Sequence, residues 1–182
     1  SYKVSADGRT IDFVMRKGLK WSDGHPLTVD DVVFTYATLI GEGFGETSSR
    51  DTISTPGDYP KVVKVDEDTV SFRFKKPFSP FLANLNATMV APKHIIEPIT
   101  KRPKAEFHNF WNINADPKTF VCSGPMIVDR YIPGQRLEFK RNPNYSFIDK
   151  EGRQLPYLDK MVIGIVPDQN TMIIKFLGDE ID

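Results

Sequence analysis

Hydrophobic and polar positions change period several times along the chain, and each change predicts an element. Tyr2 and Val4 alternate with polar neighbours before Ala6-Asp7-Gly8-Arg9, and Ile11, Phe13 and Met15 alternate after it, which predicts a β-hairpin over residues 2–16. The polar turn Lys20-Trp21-Ser22-Asp23-Gly24 follows, carrying one large aromatic. Val32, Tyr36 and Leu39 then recur at helical spacing, flanked by Val33, Ala37 and Ile40, and predict a helix over 28–40 with one broad buried face. Thr28 suits its N-cap, Asp31 stands in the capping-box position, and Asp30 and Asp31 complement the positive end of the helix dipole. Gly41 and Gly43 end it, and residues 41–60 lack periodicity and read as a surface loop.

Alternation returns at Val62-Val63-Lys64-Val65 and, after Asp66-Glu67-Asp68, at Val70, Phe72 and Phe74, a second hairpin. Pro77 and Pro80 bracket a short helical turn toward Leu85, and Ala91-Pro92-Lys93-His94-Ile95-Ile96-Glu97 reads as a helix start with Pro92 at the first helical position. From Ser123 the pattern shifts. Met126, Val128 and Tyr131 lead through Pro133-Gly134 to Leu137 and Phe139, a further strand pair. Met161 to Val166 is apolar on both faces apart from Gly164, which suits a strand covered on two sides. Asp168 caps a helix over about 168–177, with Gly178 as its C′ glycine. Strand, helix and the start of another strand form the unit of an α/β sheet, and no internal repeat is visible.

Composition narrows the function classes. The chain has 182 residues, 40% hydrophobic and 26% charged, enough for one domain and part of another with a real core. Its 24 basic and 24 acidic residues cancel and are interspersed, so the cationic excess that nucleic acid binding needs is missing. The single cysteine, Cys122, excludes an internal disulfide and any CxxC redox or zinc arrangement. No apolar run is long enough to cross a bilayer, and Ser1-Tyr2-Lys3-Val4 carries no signal segment. Tyr2-Lys3-Val4-Ser5 reads as a strand already under way, and Gly178 to Asp182 stops just after a helix exit. The expectation is a piece of a longer protein.

One long segment carries a family resemblance. Phe13-Val14-Met15-Arg16-Lys17-Gly18-Leu19-Lys20-Trp21-Ser22-Asp23-Gly24-His25-Pro26-Leu27-Thr28-Val29-Asp30-Asp31-Val32-Val33-Phe34 resembles the signature of the family 5 extracellular solute-binding proteins, the oligopeptide-, dipeptide- and nickel-binding components of ABC importers. Ala91 to Glu97 is similar to the family's Pro-Lys-His segment. Ser123-Gly124-Pro125-Met126 with Tyr131-Ile132-Pro133-Gly134 resembles its return strand, with Met126 in place of the usual aromatic. Arg141-Asn142-Pro143-Asn144-Tyr145, Leu155-Pro156-Tyr157-Leu158-Asp159 and Gly178-Asp179-Glu180-Ile181-Asp182 match later stretches. The resemblance implies an α/β fold of the class II periplasmic-binding-protein type. This chain would hold part of the first lobe: a peripheral hairpin and helix subdomain at 1–120 and part of the central mixed sheet at 121–182, the second lobe lying outside it.

The same layout would put Phe107, Phe110 and Trp111, with Asn112 and Asn114, near the cleft between lobes, although the aromatics also suit core packing. Asn84-Leu85-Asn86 precedes a short strand toward that cleft. Trp111, Asn112, Asn84 and Asn86 are therefore the candidate ligand-binding residues. Aromatic faces and amides without charge suit an oligosaccharide slightly better than a peptide's charged termini. Trp-Ser-Asp-Gly reads as a structural turn, Trp21 packing and Asp23 bonding backbone amides. His25, His94 and His108 lack metal-ligand spacing, Asp66-Glu67-Asp68 lacks the pattern of a calcium loop, and Cys122 has no activating neighbour in sequence. With no nucleophile elbow, Walker loop or dinucleotide fingerprint, no enzyme, cofactor or metal is implied. The expected function is capture of a peptide or oligosaccharide outside the cytoplasmic membrane, by a free or lipid-anchored monomer that delivers it to a permease. The competing expectation is the sensing lobe of a transcriptional regulator.

Overall fold

In the computed structural model, which describes residues 1–44, 47–55, 57–112 and 114–181, two antiparallel sheets divide the strands. The first, in the order β1-β2-β4-β3, comprises β1 (Tyr2–Val4), β2 (Thr10–Val14), β3 (Lys61–Lys64) and β4 (Thr69–Arg73). Both predicted hairpins are present, and β2 pairs with β4 between them, Ile11 opposite Phe72 and Phe13 opposite Val70. Val62 also faces Phe72, so the period-2 pattern delivers Ile11, Val62, Val70 and Phe72 to one core. Phe72 meets Tyr36 edge-on at 5.0 Å and Phe13 at 5.6 Å. Burying each such side chain stabilises the fold by roughly 1.5–3 kcal/mol.

The predicted helix over 28–40 divides in two. Regular α1 spans Val29–Val33, and Phe34–Ile40 continues it as a wider π-helix. Thr35 accounts for the change locally: its hydroxyl donates to the Asp31 carbonyl at 2.8 Å, and a side chain set into the ladder favours wider turns. Gly41 then donates to Tyr36 O, five residues back. The helical face still buries Val29, Tyr36 and Ile40 on the sheet.

Other departures have local causes. The expected loop over 41–60 contains α2 (Thr47–Thr52), a helix without an apolar face, held in part by Thr52 and Ser54 hydroxyls on the carbonyls of Ser48 and Arg50. Residues 45, 46 and 56 of that stretch lie outside the described residues. Next come α3 (Phe81–Asn84), its 3-10 continuation Leu85–Ala87, α4 (Lys93–Thr100) and α5 (Lys104–Asn109). Pro92 is the N-cap of α4 rather than its first helical residue.

The second sheet, β5-β6-β7, is formed by Met126–Ile132, Arg136–Arg141 and Lys160–Gly164. β7 was expected to be covered on both faces, yet it is an edge strand here and Val162 and Ile163 are about half exposed. α6 (Gln169–Leu177) follows, capped by the Asp168 carboxylate on the Thr171 N–H at 2.8 Å as expected. Its left-handed exit residue is Asp179 (φ 55°), whereas Gly178 keeps a negative φ, so the glycine is not the C′ residue.

Candidate functional site

The Trp-Ser-Asp-Gly turn fastens the two sheets together. Trp21 is 1% exposed, and its backbone closes the turn by donating to His25 O at 2.8 Å while Gly24 donates to Trp21 O. Gly24 has φ 88°, a conformation that side-chain-bearing residues rarely adopt. Ser22 donates its N–H to Cys122 O at 2.8 Å and accepts the Cys122 N–H on its hydroxyl at 3.1 Å. Asn144 donates to Ser22 O at 3.2 Å, and the fully buried Asn142 donates to Gly124 O at 2.7 Å while accepting the Asn144 N–H. Three motifs distant in sequence thus form one hydrogen-bonded seam.

Asp23 serves the turn and the helix behind it. One carboxylate oxygen accepts the His25 N–H at 3.0 Å, and the other lies 2.7 Å from His94 Nε2. Partial burial pulls the Asp23 carboxyl upward, but the bonds from His94 and His25 outweigh it and hold it below its ordinary value. His25 and His94 stack at 3.9 Å. Among the described residues no group of three or more His, Cys, Asp or Glu could hold a metal. His94 is a partner to a carboxylate here.

The candidate ligand-binding residues fall into two separate places. Asn84, at the end of α3, donates its amide to Thr52 O at 2.7 Å, tying α2 to the first core. Asn86 is exposed on the 3-10 turn. Trp111 and Asn112 follow α5, where Phe107, Phe110 and Trp111 pack against the second cluster of Phe34, Leu39 and Ile96. No hydrogen bond or ring contact among the described residues joins the two pairs.

Trp111 has the more unusual environment. Its φ of 46° is in the left-handed region, which costs a bulky residue energy unless its surroundings enforce it. The indole stacks on Phe110 at 5.3 Å, meets Phe120 at 5.5 Å, and buries an Nε1–H with no partner among the described residues. Asn112 donates to Asn109 O and accepts from the Asn114 N–H, which fixes the turn after α5. Asn112 and Phe120 also line a cavity of about 340 Å³ against Val128, Tyr131 and Leu137 of the second sheet. Hydrophobic patterning does not mark this cavity, because its walls come from a loop and from strand faces that pattern alone does not pair.

Comparison with known proteins points to one family. All of residues 1–182 match the model of the bacterial extracellular solute-binding proteins, family 5 (middle region). A Deinococcus radiodurans protein named "Probable ABC transporter-binding protein" is 36% identical over 185 residues, covering 100% of this chain and 31% of its own length. The oligopeptide-binding protein AppA of Bacillus subtilis, solved with a nonapeptide, superposes with a TM-score of 0.78 at 31% identity over 100% of this chain and 33% of its own. A Thermotoga maritima periplasmic oligopeptide-binding protein, solved with mannohexaose, superposes with a TM-score of 0.77 at 28% identity, over 100% and 31% respectively. The chain spans about a third of the length of these proteins.

Proposed function

The chain belongs to the family 5 bacterial extracellular solute-binding proteins, and from that premise we propose that it forms part of the first lobe of a two-lobed protein. That protein captures an oligopeptide or oligosaccharide outside the cytoplasmic membrane and delivers it to the permease of an ABC importer. The observation that carries the reading is the continuous family match over residues 1–182. Under it, residues 1–120 are the peripheral subdomain and 121–182 part of the central one. The break between the two sheets, bridged by the Ser22–Cys122 pair, supports that division.

Capture by such a protein is a hinge closure in which two lobes bury the solute, and no covalent step is involved. Trp111, Asn112, Asn84 and Asn86 are the residues of this chain assigned to the solute. Trp111 has the firmest support, since its backbone is held in the left-handed region, a strain that gathers at ligand sites, and its neighbour Asn112 lines the cavity. Both solute classes remain in the proposal, because one neighbour was solved with a peptide and another with a sugar.

The test is calorimetry on the full-length protein with panels of short peptides and β-linked oligosaccharides. Trp111→Ala is expected to weaken binding of the cognate class by about 1–3 kcal/mol, the scale of a lost aromatic contact. A folded Trp111→Ala variant with unchanged affinity would reduce Trp111 to a packing residue. Binding of neither panel would overturn the solute assignment.

A further inference from the structure

Between the two sheets lies a groove of about 230 Å³ lined by Arg16, Lys20, Ser123, Ser146 and Phe147, with Leu19 and Leu27 beside them. Its charge is one-sided. Arg16 and Lys20 are both cationic, no carboxylate lines the groove, and neither side chain has an ion-pair partner among the described residues. Nearby lysines are engaged elsewhere, Lys17 with Asp68 at 3.1 Å and Lys64 with Asp30 at 3.0 Å.

The donors are also arranged. The Arg16 guanidinium lies over the Phe147 ring, Cζ 5.0 Å from the centroid. The cation–π contact holds the guanidinium without consuming its N–H groups, which have no acceptor among the described residues and can make a two-pronged bond to a carboxylate. The Ser123 and Ser146 hydroxyls have no hydrogen-bond partner among the described residues, so each has a proton to donate.

We propose that this groove is a binding site for a small organic carboxylate, separate from the Trp111–Asn112 region and independent of the transport reading. Arg16 holds the carboxylate by two N–H groups, Lys20 adds the second positive charge, and the serines bond the remaining lone pairs. Leu19, Leu27 and the Phe147 ring cover the attached carbon. That apolar share favours a singly charged carboxylate over inorganic phosphate, whose greater charge costs more to dehydrate.

The test titrates the isotope-labelled full-length protein with sodium butyrate, with sodium phosphate and with sodium chloride at matched ionic strength, following the Arg16 Nε–H and the Ser123 and Ser146 amides by NMR. Butyrate should produce saturable shifts, and Arg16→Gln should weaken them about tenfold, as expected for losing a charge-assisted pair. Lys20→Gln, which keeps the guanidinium, should weaken them less and provides the check should Arg16→Gln misfold. Shifts that merely track ionic strength, or phosphate saturating more tightly than butyrate, would overturn the proposal.

Discussion

Asp31 and Lys93 are 62 residues apart in sequence, and one Asp31 carboxylate oxygen accepts the Lys93 backbone N–H at 2.9 Å. The other oxygen accepts the Thr28 N–H at 2.8 Å, so one buried side chain satisfies the starts of two helices. Thr35 adds a parallel link, its hydroxyl accepting the Ala91 N–H at 2.9 Å. The aspartate at the third helical position thereby holds the start of the Pro-Lys-His helix against the start of α1.

Asp31→Ala should therefore cost about 2–4 kcal/mol, because two part-buried N–H groups lose their acceptor together. Asp31→Asn, which keeps one acceptor oxygen, should fall between that variant and the parent. Urea unfolding midpoints measure both. A parent-like midpoint for Asp31→Ala would mean the two helix starts find other acceptors at no cost.

The seam yields a graded series. Asn142→Ala strips a fully buried amide from Gly124 O and the Asn144 N–H, and should cost about 2–4 kcal/mol. Ser22→Ala removes one acceptor from the Cys122 N–H and should cost about 1 kcal/mol. In Cys122→Ser the backbone bonds persist and only a 3.5 Å contact from Sγ to Met126 O changes, so the loss should stay below about 1 kcal/mol. Denaturant titration orders the three. A Cys122→Ser loss exceeding that of Asn142→Ala would show that the seam depends on the thiol.

The signals in the sequence that survived folding were local ones. Alternation at Ile11, Phe13, Val70 and Phe72 placed both hairpins, and Thr28 with Asp31 placed the first helix start. Nothing in the pattern marked the π turns after Thr35, because they arise from a side-chain bond that does not alter apolar spacing. Helix α2 was missed for the opposite reason, since it lacks an apolar stripe. The aromatic run at Phe107, Phe110 and Trp111 was visible as a cluster, but its packing on Phe34 and Leu39 depends on long-range docking. Likewise, that Arg16 and Lys20 lack ion-pair partners becomes apparent only in three dimensions, where the nearby Asp68 pairs with Lys17 and Glu67 with Lys64.

Acid should loosen the second sheet at Glu138. Hydrogen bonds from Arg136 at 2.6 Å and Lys160 at 3.0 Å lower the Glu138 pKa from 4.5 to about 2. A depressed carboxyl contributes stability that is fully present above its ordinary value and lost as pH falls toward the folded value. Unfolding midpoints should therefore decline between about pH 4.5 and 2, and Glu138→Gln should flatten this part of the profile. An unchanged slope in Glu138→Gln would place the acid sensitivity elsewhere, for instance at Asp149, whose pKa is lowered to about 2 by the Tyr157 hydroxyl and the Arg153 bonds.

Several apolar side chains of β7 and α6 are open to solvent. Val162 and Ile163 are about half exposed, and Ile174 and Leu177 on α6 are 69% and 76% exposed. Apolar side chains exposed to this degree are costly in water and favour association. In the longer relatives two thirds of the protein lies beyond the matched region, and the proposed first lobe gives this face a place against that remainder. The 182-residue chain by itself should consequently self-associate as its concentration rises, and Ile174→Glu with Leu177→Lys should restore a monomer without changing its helix content. Sedimentation velocity with circular dichroism reads both effects. A parent chain that stays monomeric at high concentration would show that this face needs no cover.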